Sequence, residues 1–224
     1  MRKILFQNEY YYHIYNRGVD KRNIFLDNYD YIRFLTSLRE FNRIDAIDSL
    51  YRQRQIEHQV ASKSLQANFA CSDLDASRPL VEYICYCLLP NHFHIMVRQI
   101  TEKGIEKIMH KLGLGYTRYF NNKYARTGSL FQGTYKVVAI KTSPYLYYLS
   151  AYIHGNPEIH KLANAKNWTW SSLRDYLDLR KGNLCRKDII RKEFKNMSSY
   201  HEYLNTVIKD SFARKQSIKN YTLE

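Results

Sequence analysis

Three groups of residues have the types and spacings to do chemistry together. The first is His92-Phe93-His94, preceded by Leu88-Leu89-Pro90-Asn91 and followed by Ile95-Met96-Val97. This reads as a strand end, a tight Pro-Asn turn and a second strand that opens with two histidines. Side chains alternate faces along a strand, so the two imidazoles share one side and Phe93 takes the other. Two imidazoles on rigid backbone suit a divalent metal, while the plainer alternative is a pair of half-buried strand histidines. The second group is Tyr148, Tyr152 and Asn156, four residues apart in a segment that opens Ser143-Pro144 and closes Gly155-Asn156-Pro157. Ser143 as N-cap with proline at the first helical position predicts a helix, and the spacing stacks the three side chains along one face. Tyr116, Tyr145, Tyr147 and Tyr148 compete with Tyr152 by composition alone. The third group is the run from Lys123 to Lys136, with Arg126, Gln132 and Tyr135 inside it. A basic, aromatic, glycine-punctuated loop of this kind suits phosphates and bases.

The flanking pattern supplies elements to hold these groups. Tyr10 to Gly18 is aromatic and β-branched and predicts a strand and turn. His13 on it is either a residue packed at the sheet edge or a third neighbour of a metal. Asn28 could cap a helix whose apolar stripe is Tyr31, Phe34, Leu35, Leu38 and Phe41. From about 43 to 78 the pattern weakens, with loop character at 70–79 and no functional signal. Leu80 to Leu89 is apolar throughout, as in a central buried strand, and Thr101 could cap a helix reaching about Asn122. A short strand follows at Val137–Ile140. A helical region then starts at Trp168 and reaches about Val207, ahead of a polar tail from Arg214. The simplest architecture is an α+β fold, an antiparallel sheet with helices on one face. We expect a catalytic domain over 1–160, with an insertion around 43–79, and a C-terminal helical extension over 161–224.

Composition narrows the partner. The chain of 224 residues has 35 Lys and Arg against 21 Asp and Glu, a net charge of +14. Such an excess points to a polyanion, and 21 tyrosines with 10 phenylalanines supply stacking surfaces for bases. Cys71, Cys85, Cys87 and Cys185 form no disulfide framework. Cys85 and Cys87 read as small core residues, the alternative being a zinc site shared with His92 and His94. No apolar run approaches the roughly 20 residues of a membrane span, and the first residues lack a signal-peptide pattern, so a cytoplasmic protein is expected.

Four segments taken together resemble one family. Tyr12-His13-Ile14-Tyr15-Asn16-Arg17-Gly18, Leu89-Pro90-Asn91-His92-Phe93-His94, Gly128-Ser129-Leu130-Phe131-Gln132-Gly133 and Trp170-Ser171-Ser172 look like the HUH-type single-tyrosine transposases, in particular the REP-associated tyrosine transposases and their insertion-sequence relatives. The resemblance covers roughly residues 10–177 outside the 43–78 stretch. It implies a ferredoxin-like fold and metal-dependent cleavage of single-stranded DNA beside hairpins, with strand transfer through a 5′-phosphotyrosine. It also implies roles. His92 and His94 match the histidine ligands of Mg²⁺ or Mn²⁺, and Tyr152 matches the nucleophile because it lies four residues before Asn156-Pro157. Asn156 matches the polar residue that helps complete the metal site. Arg17, Arg118, Lys123, Arg126, Gln132, Tyr135 and Lys136 are the expected DNA contacts. Thr134 departs from the pattern where a basic residue is expected, and His154-Gly155 stand where an apolar or aromatic residue is usual. His154 is thereby a spare ligand or base. The chain acts as a monomer or homodimer on this likeness, and the alternative function is a domesticated, non-catalytic binder of structured nucleic acid.

Overall fold

The computed structural model describes residues 5–44 and 79–221, with side chains through residue 214. The expected insertion around 43–79 therefore lies almost wholly outside the described residues. The elements run β1 (Tyr11–Arg17), α1 (Asn28–Glu40), β2 (Val81–Leu89), β3 (His92–Gln99), α2 (Gly104–Lys123), β4 (Lys136–Ile140) and α3 (Ser143–Ile159). Three further helices follow: α4 (Leu173–Tyr176), α5 (Asp188–Arg191) and α6 (Met197–Tyr221). The four strands form one sheet in the order β2-β3-β1-β4, antiparallel throughout. A β-α-β-β-α-β chain in this order is the expected ferredoxin-like arrangement. β1 is an inner strand, since β4 covers its outer side, so His13 is not at the sheet edge.

The sheet is apolar on both faces, which is why β2 reads as a continuous apolar run. Tyr12, Ile14, Leu88, Phe93, Ile95 and Val97 pack with α1 and α2 through Phe34, Leu38, Ile108 and Leu112. Cys85, Cys87, Leu89 and Met96 pack on the opposite face with Leu149, Ile153, Tyr200 and Leu204. Helices thus cover both faces instead of one: α1 and α2 complete the ferredoxin-like unit, while α3 and α6 cover the second face. A β-bulge between Tyr83 and Cys85 sets the register that turns Cys85, Cys87 and Leu89 toward α3.

Helix boundaries differ from the sequence expectation by local energetics. Asp27, not Asn28, caps α1, in a reciprocal capping box with Asp30. Thr142, not Ser143, caps α3. In each case the capping residue is the one with extended φ and ψ, as a cap requires. α3 also runs through Pro157 to Ile159 instead of ending there. An interior proline costs about 3 kcal/mol. Ile153 and Ile159 are buried on the same stretch, and each contributes roughly 1.5–3 kcal/mol, so burial carries the helix past the proline.

The segment Trp168–Ser172 runs along the outer edge of β2. Leu88 N donates to Trp170 O at 2.9 Å and Ser172 N to Tyr86 O at 3.0 Å. Arg180 fastens this strip, donating to Asp175, to the Tyr86 hydroxyl and to the carbonyls of Thr169 and Ser171. Among the described residues, no helix is long and apolar enough to cross a membrane.

Candidate functional site

Residues directly opposite on antiparallel strands share a face. The register therefore lays out rows on the sheet surface beneath α3. One row is Leu89–His92–Arg17, the next Cys87–His94–Tyr15–Lys136, and the third Cys85–Met96–His13–Val138. His92 and His94 lie in adjacent rows on one face, as strand alternation predicts. What alternation along a single strand could not show is that Arg17, Tyr15, His13 and Lys136 stand beside them.

Each histidine is held through its Nδ1. His92 Nδ1 lies 2.6 Å from Asn91 Oδ1 in the two-residue turn. The same amide's Nδ2 donates to Lys21 O at 3.1 Å, and Asn91 O accepts from Gly18 N at 2.9 Å. The turn is thus pinned to the chain that leaves β1. His94 Nδ1 lies 2.9 Å from His13 Nε2. Both rings are buried, and Tyr15 stacks on each, with centroid separations of 5.7 Å to His94 and 5.0 Å to His13. Burial, with His13, His92 and His160 nearby, holds His94 well below the usual imidazole range. Burial alone lowers His13 to about 4. Both are therefore neutral at pH 7, the state in which an imidazole offers a lone pair.

α3 lies over these rows. The Tyr152 ring stands edge-on to His94 at 6.3 Å between centroids, within the one chain. Burial, then Tyr148 and Tyr15, raises the Tyr152 phenol above its ordinary range. Asn156, one turn on, is fully buried. Its Nδ2 donates to Tyr152 O at 2.7 Å, and its Oδ1 has no hydrogen-bond partner among the described residues. His160 caps the helix and meets the His92 ring at 4.9 Å. It continues the series Tyr148, Tyr152, Asn156 by one more turn. That periodicity was the available signal for it, and the helix end expected at Pro157 hid it. His154 is neither ligand nor base. It is fully buried between Tyr200 Oη at 2.7 Å and Ser172 Oγ at 2.8 Å, and burial lowers it to about 3.

The expected DNA contacts separate into two groups. Arg17 Nε donates to Gln132 Oε1, and Gln132 N donates to Arg17 O at 2.8 Å. Asn16 Nδ2 reaches Gly133 O at 3.2 Å, so Phe131-Gln132-Gly133 is tied to the end of β1 beside His92. Lys136 is exposed on the histidine face. Tyr135 points the other way, packs against the first core, and is pushed up to about 12 by burial and then Glu106. Lys123, Arg126 and Arg118 belong to α2 and the loop after it. Lys123 Nζ sits 2.7 Å from both Asp27 and Asp30 at the start of α1. Arg126 donates to Asn121 Oδ1 at 2.9 Å and lies over the Phe120 ring. Arg118 stands on the exposed side of α2.

Two imidazoles and a buried amide oxygen without a hydrogen bond suit a divalent ion of the Mg²⁺ or Mn²⁺ kind. The described residues hold no cluster of three His, Cys, Asp or Glu placed for a metal, so the third protein donor would be that amide. Cys85 and Cys87 are fully buried in the core under α3, and among the described residues they complete no metal-holding cluster with the histidines.

Residues 49–156, just under half of the chain, match the model of the IS200-like transposase family. The matched stretch contains His92, His94, Tyr152 and Asn156. Over that stretch the chain is similar to the IS200-like transposases. This agrees with its likeness to the HUH-type tyrosine transposases. No curated protein matches the chain. Among solved structures, a REP-associated tyrosine transposase bound to a REP hairpin shares 11% identity, covers 80% of this chain and 84% of its own, and has a TM-score of 0.49.

Proposed function

We propose that the protein cleaves single-stranded DNA beside a hairpin and transfers the strand through a 5′-phosphotyrosine at Tyr152, with His92, His94 and Asn156 holding Mg²⁺ or Mn²⁺. The observation that carries this reading is the set of rows that gathers Arg17, His92, His94 and Lys136 on one face under Tyr152.

An ion held there would supply Lewis-acid polarisation of the scissile phosphate. The chain's own residues do the rest. Arg17 and Lys136, on the two strands to one side of the histidines, hold the backbone phosphates, and Gln132 orients Arg17. Tyr152 Oη attacks the phosphorus. The new Oη–P bond forms as the P–O3′ bond breaks, the phenol gives up its proton and the departing 3′ oxygen takes one up. The products are a 5′-phosphotyrosine and a 3′-OH. Attack by a second 3′-OH reverses these bond changes on a new strand, so the bond is conserved and no nucleotide triphosphate is consumed. Because burial makes the phenol less acidic than in water, its ionisation depends on the positive charge that Arg17 and Lys136 bring to the site.

Incubating the protein with an end-labelled hairpin carrying a single-stranded flank and Mn²⁺ tests this. The expected result is a labelled adduct that survives denaturing electrophoresis and disappears with Tyr152→Phe or with a chelator, while Tyr152→Phe still binds the hairpin. An adduct that persists in Tyr152→Phe removes the nucleophile assignment. Tight, salt-dependent hairpin binding by wild type with no adduct under any substrate selects the non-catalytic binder instead.

A further inference from the structure

The proposed metal pair leaves His13 without a role, although among the described residues it makes the one direct side-chain bond to His94. We propose that His13 is a positioning residue that fixes the tautomer of His94: it accepts the His94 Nδ1 proton on its own Nε2 and so leaves the His94 Nε2 lone pair for a metal ion. This rests on the metal reading of His92 and His94.

The geometry requires one of two arrangements. Two imidazole nitrogens 2.9 Å apart and buried share a single proton, since two protons would clash and none would leave facing lone pairs. If His13 donates, the His94 proton moves to Nε2 and His94 cannot ligate. If His94 donates, Nε2 is bare. Asn91 decides the matter for the neighbouring ligand: its Oδ1 can only accept, so His92 carries its proton on Nδ1. A site with both ligands competent requires the same tautomer at His94, and His13 is the acceptor present. Ligating histidines usually donate their second N–H to a carboxylate, carbonyl or water. Here the acceptor is a third histidine, buried and supplied by an inner strand that pairs with β3 on one side and β4 on the other. Tyr15, stacked on both rings, fixes their planes.

Two measurements on the full chain test this. In long-range ¹H–¹⁵N spectra of the metal-free protein at pH 7.5, His94 is expected as the Nδ1–H tautomer; an Nε2–H tautomer overturns the proposal. Mn²⁺ binding followed by electron paramagnetic resonance is expected to weaken about 10- to 100-fold in His13→Phe, the loss typical of an outer-shell partner. His13→Gln, whose amide oxygen can accept the proton, should recover most of it. His13→Phe binding Mn²⁺ as tightly as wild type, or His13→Gln failing as His13→Phe does while both melt like wild type, overturns the role. The His94→Ala control separates the two levels: if it binds Mn²⁺ as wild type does, the metal reading itself fails, whereas its loss of binding with an intact His13→Phe removes only the positioning role.

Discussion

Lys123 and Lys136 bracket the same basic loop, and the structure gives them opposite fates. Lys123 answers the charges of Asp27 and of the fully buried Asp30. Its replacement leaves a buried carboxylate short of its cation. Lys136 stands exposed beside Tyr15, in the row that also holds His94. Lys123→Ala is therefore expected to lower unfolding free energy by about 1–3 kcal/mol and to leave the salt dependence of hairpin binding unchanged. Lys136→Ala should leave stability within about 0.5 kcal/mol and reduce the slope of log affinity against log salt by about one. Urea melts and binding titrations at several salt concentrations check both. Nothing in the sequence separates the two lysines, because each is a basic residue among aromatics. Only the folded position of Asp30, far away in the chain, makes the difference.

At the scale of elements, α3 is the part whose placement matters most, since it carries Tyr152 and Asn156. It is clamped by contacts the sequence pattern does not reveal. His154 bridges Tyr200 of α6 and Ser172 of the strip along β2. Gly155 lets α6 approach closely: a Cβ there would lie 2.7 Å from Ile208 Cγ1. Gly155→Ala should accordingly cost about 1–3 kcal/mol by overpacking and slow adduct formation by shifting the tyrosine helix. Adding Ile208→Ala should restore part of both, which thermal melts and adduct time courses on the single and double variants can measure. Glycine at 155 is thus a packing requirement. The helix itself was legible from its N-terminal Ser-Pro and its fourfold spacing. Its end was not, because proline's local cost is set against burial that depends on α6 and β2.

At the scale of the whole molecule, the histidines and the tyrosine meet within a single chain. A mixture of Tyr152→Phe and His92→Ala proteins should then form no more adduct than either alone; restored activity on mixing would mean that helices are exchanged between copies. Acid stability follows from buried neutral histidines. His154 at about 3 and His13 at about 4 stay neutral in the folded state while their unfolded counterparts protonate near 6.5. Folded pKa values below the unfolded ones mean that this stability is present above pH 6.5 and falls away as pH drops toward 4. The slope is about 1.4 kcal/mol per pH unit for each such group. Denaturant unfolding at pH 7 and pH 4.5 should show the loss, and His154→Gln should reduce it by the share of one proton.

The sequence by itself determined what depends on neighbours along the chain. Strand alternation put His92 and His94 on one face, fourfold spacing put Tyr152 and Asn156 on another, and apolar runs marked the strands of an antiparallel α+β fold. Those periods are properties of local backbone geometry, so a few residues suffice to display them. The tertiary structure alone decided which strands lie side by side and in what register. That choice set His13 against His94, 81 residues away, and brought Arg17 and Lys136 into the histidine rows. It also turned His160 onto His92 and consumed Lys123 in a structural ion cluster. Such pairings arise from burying both faces of the sheet at once, an energy that no single segment carries.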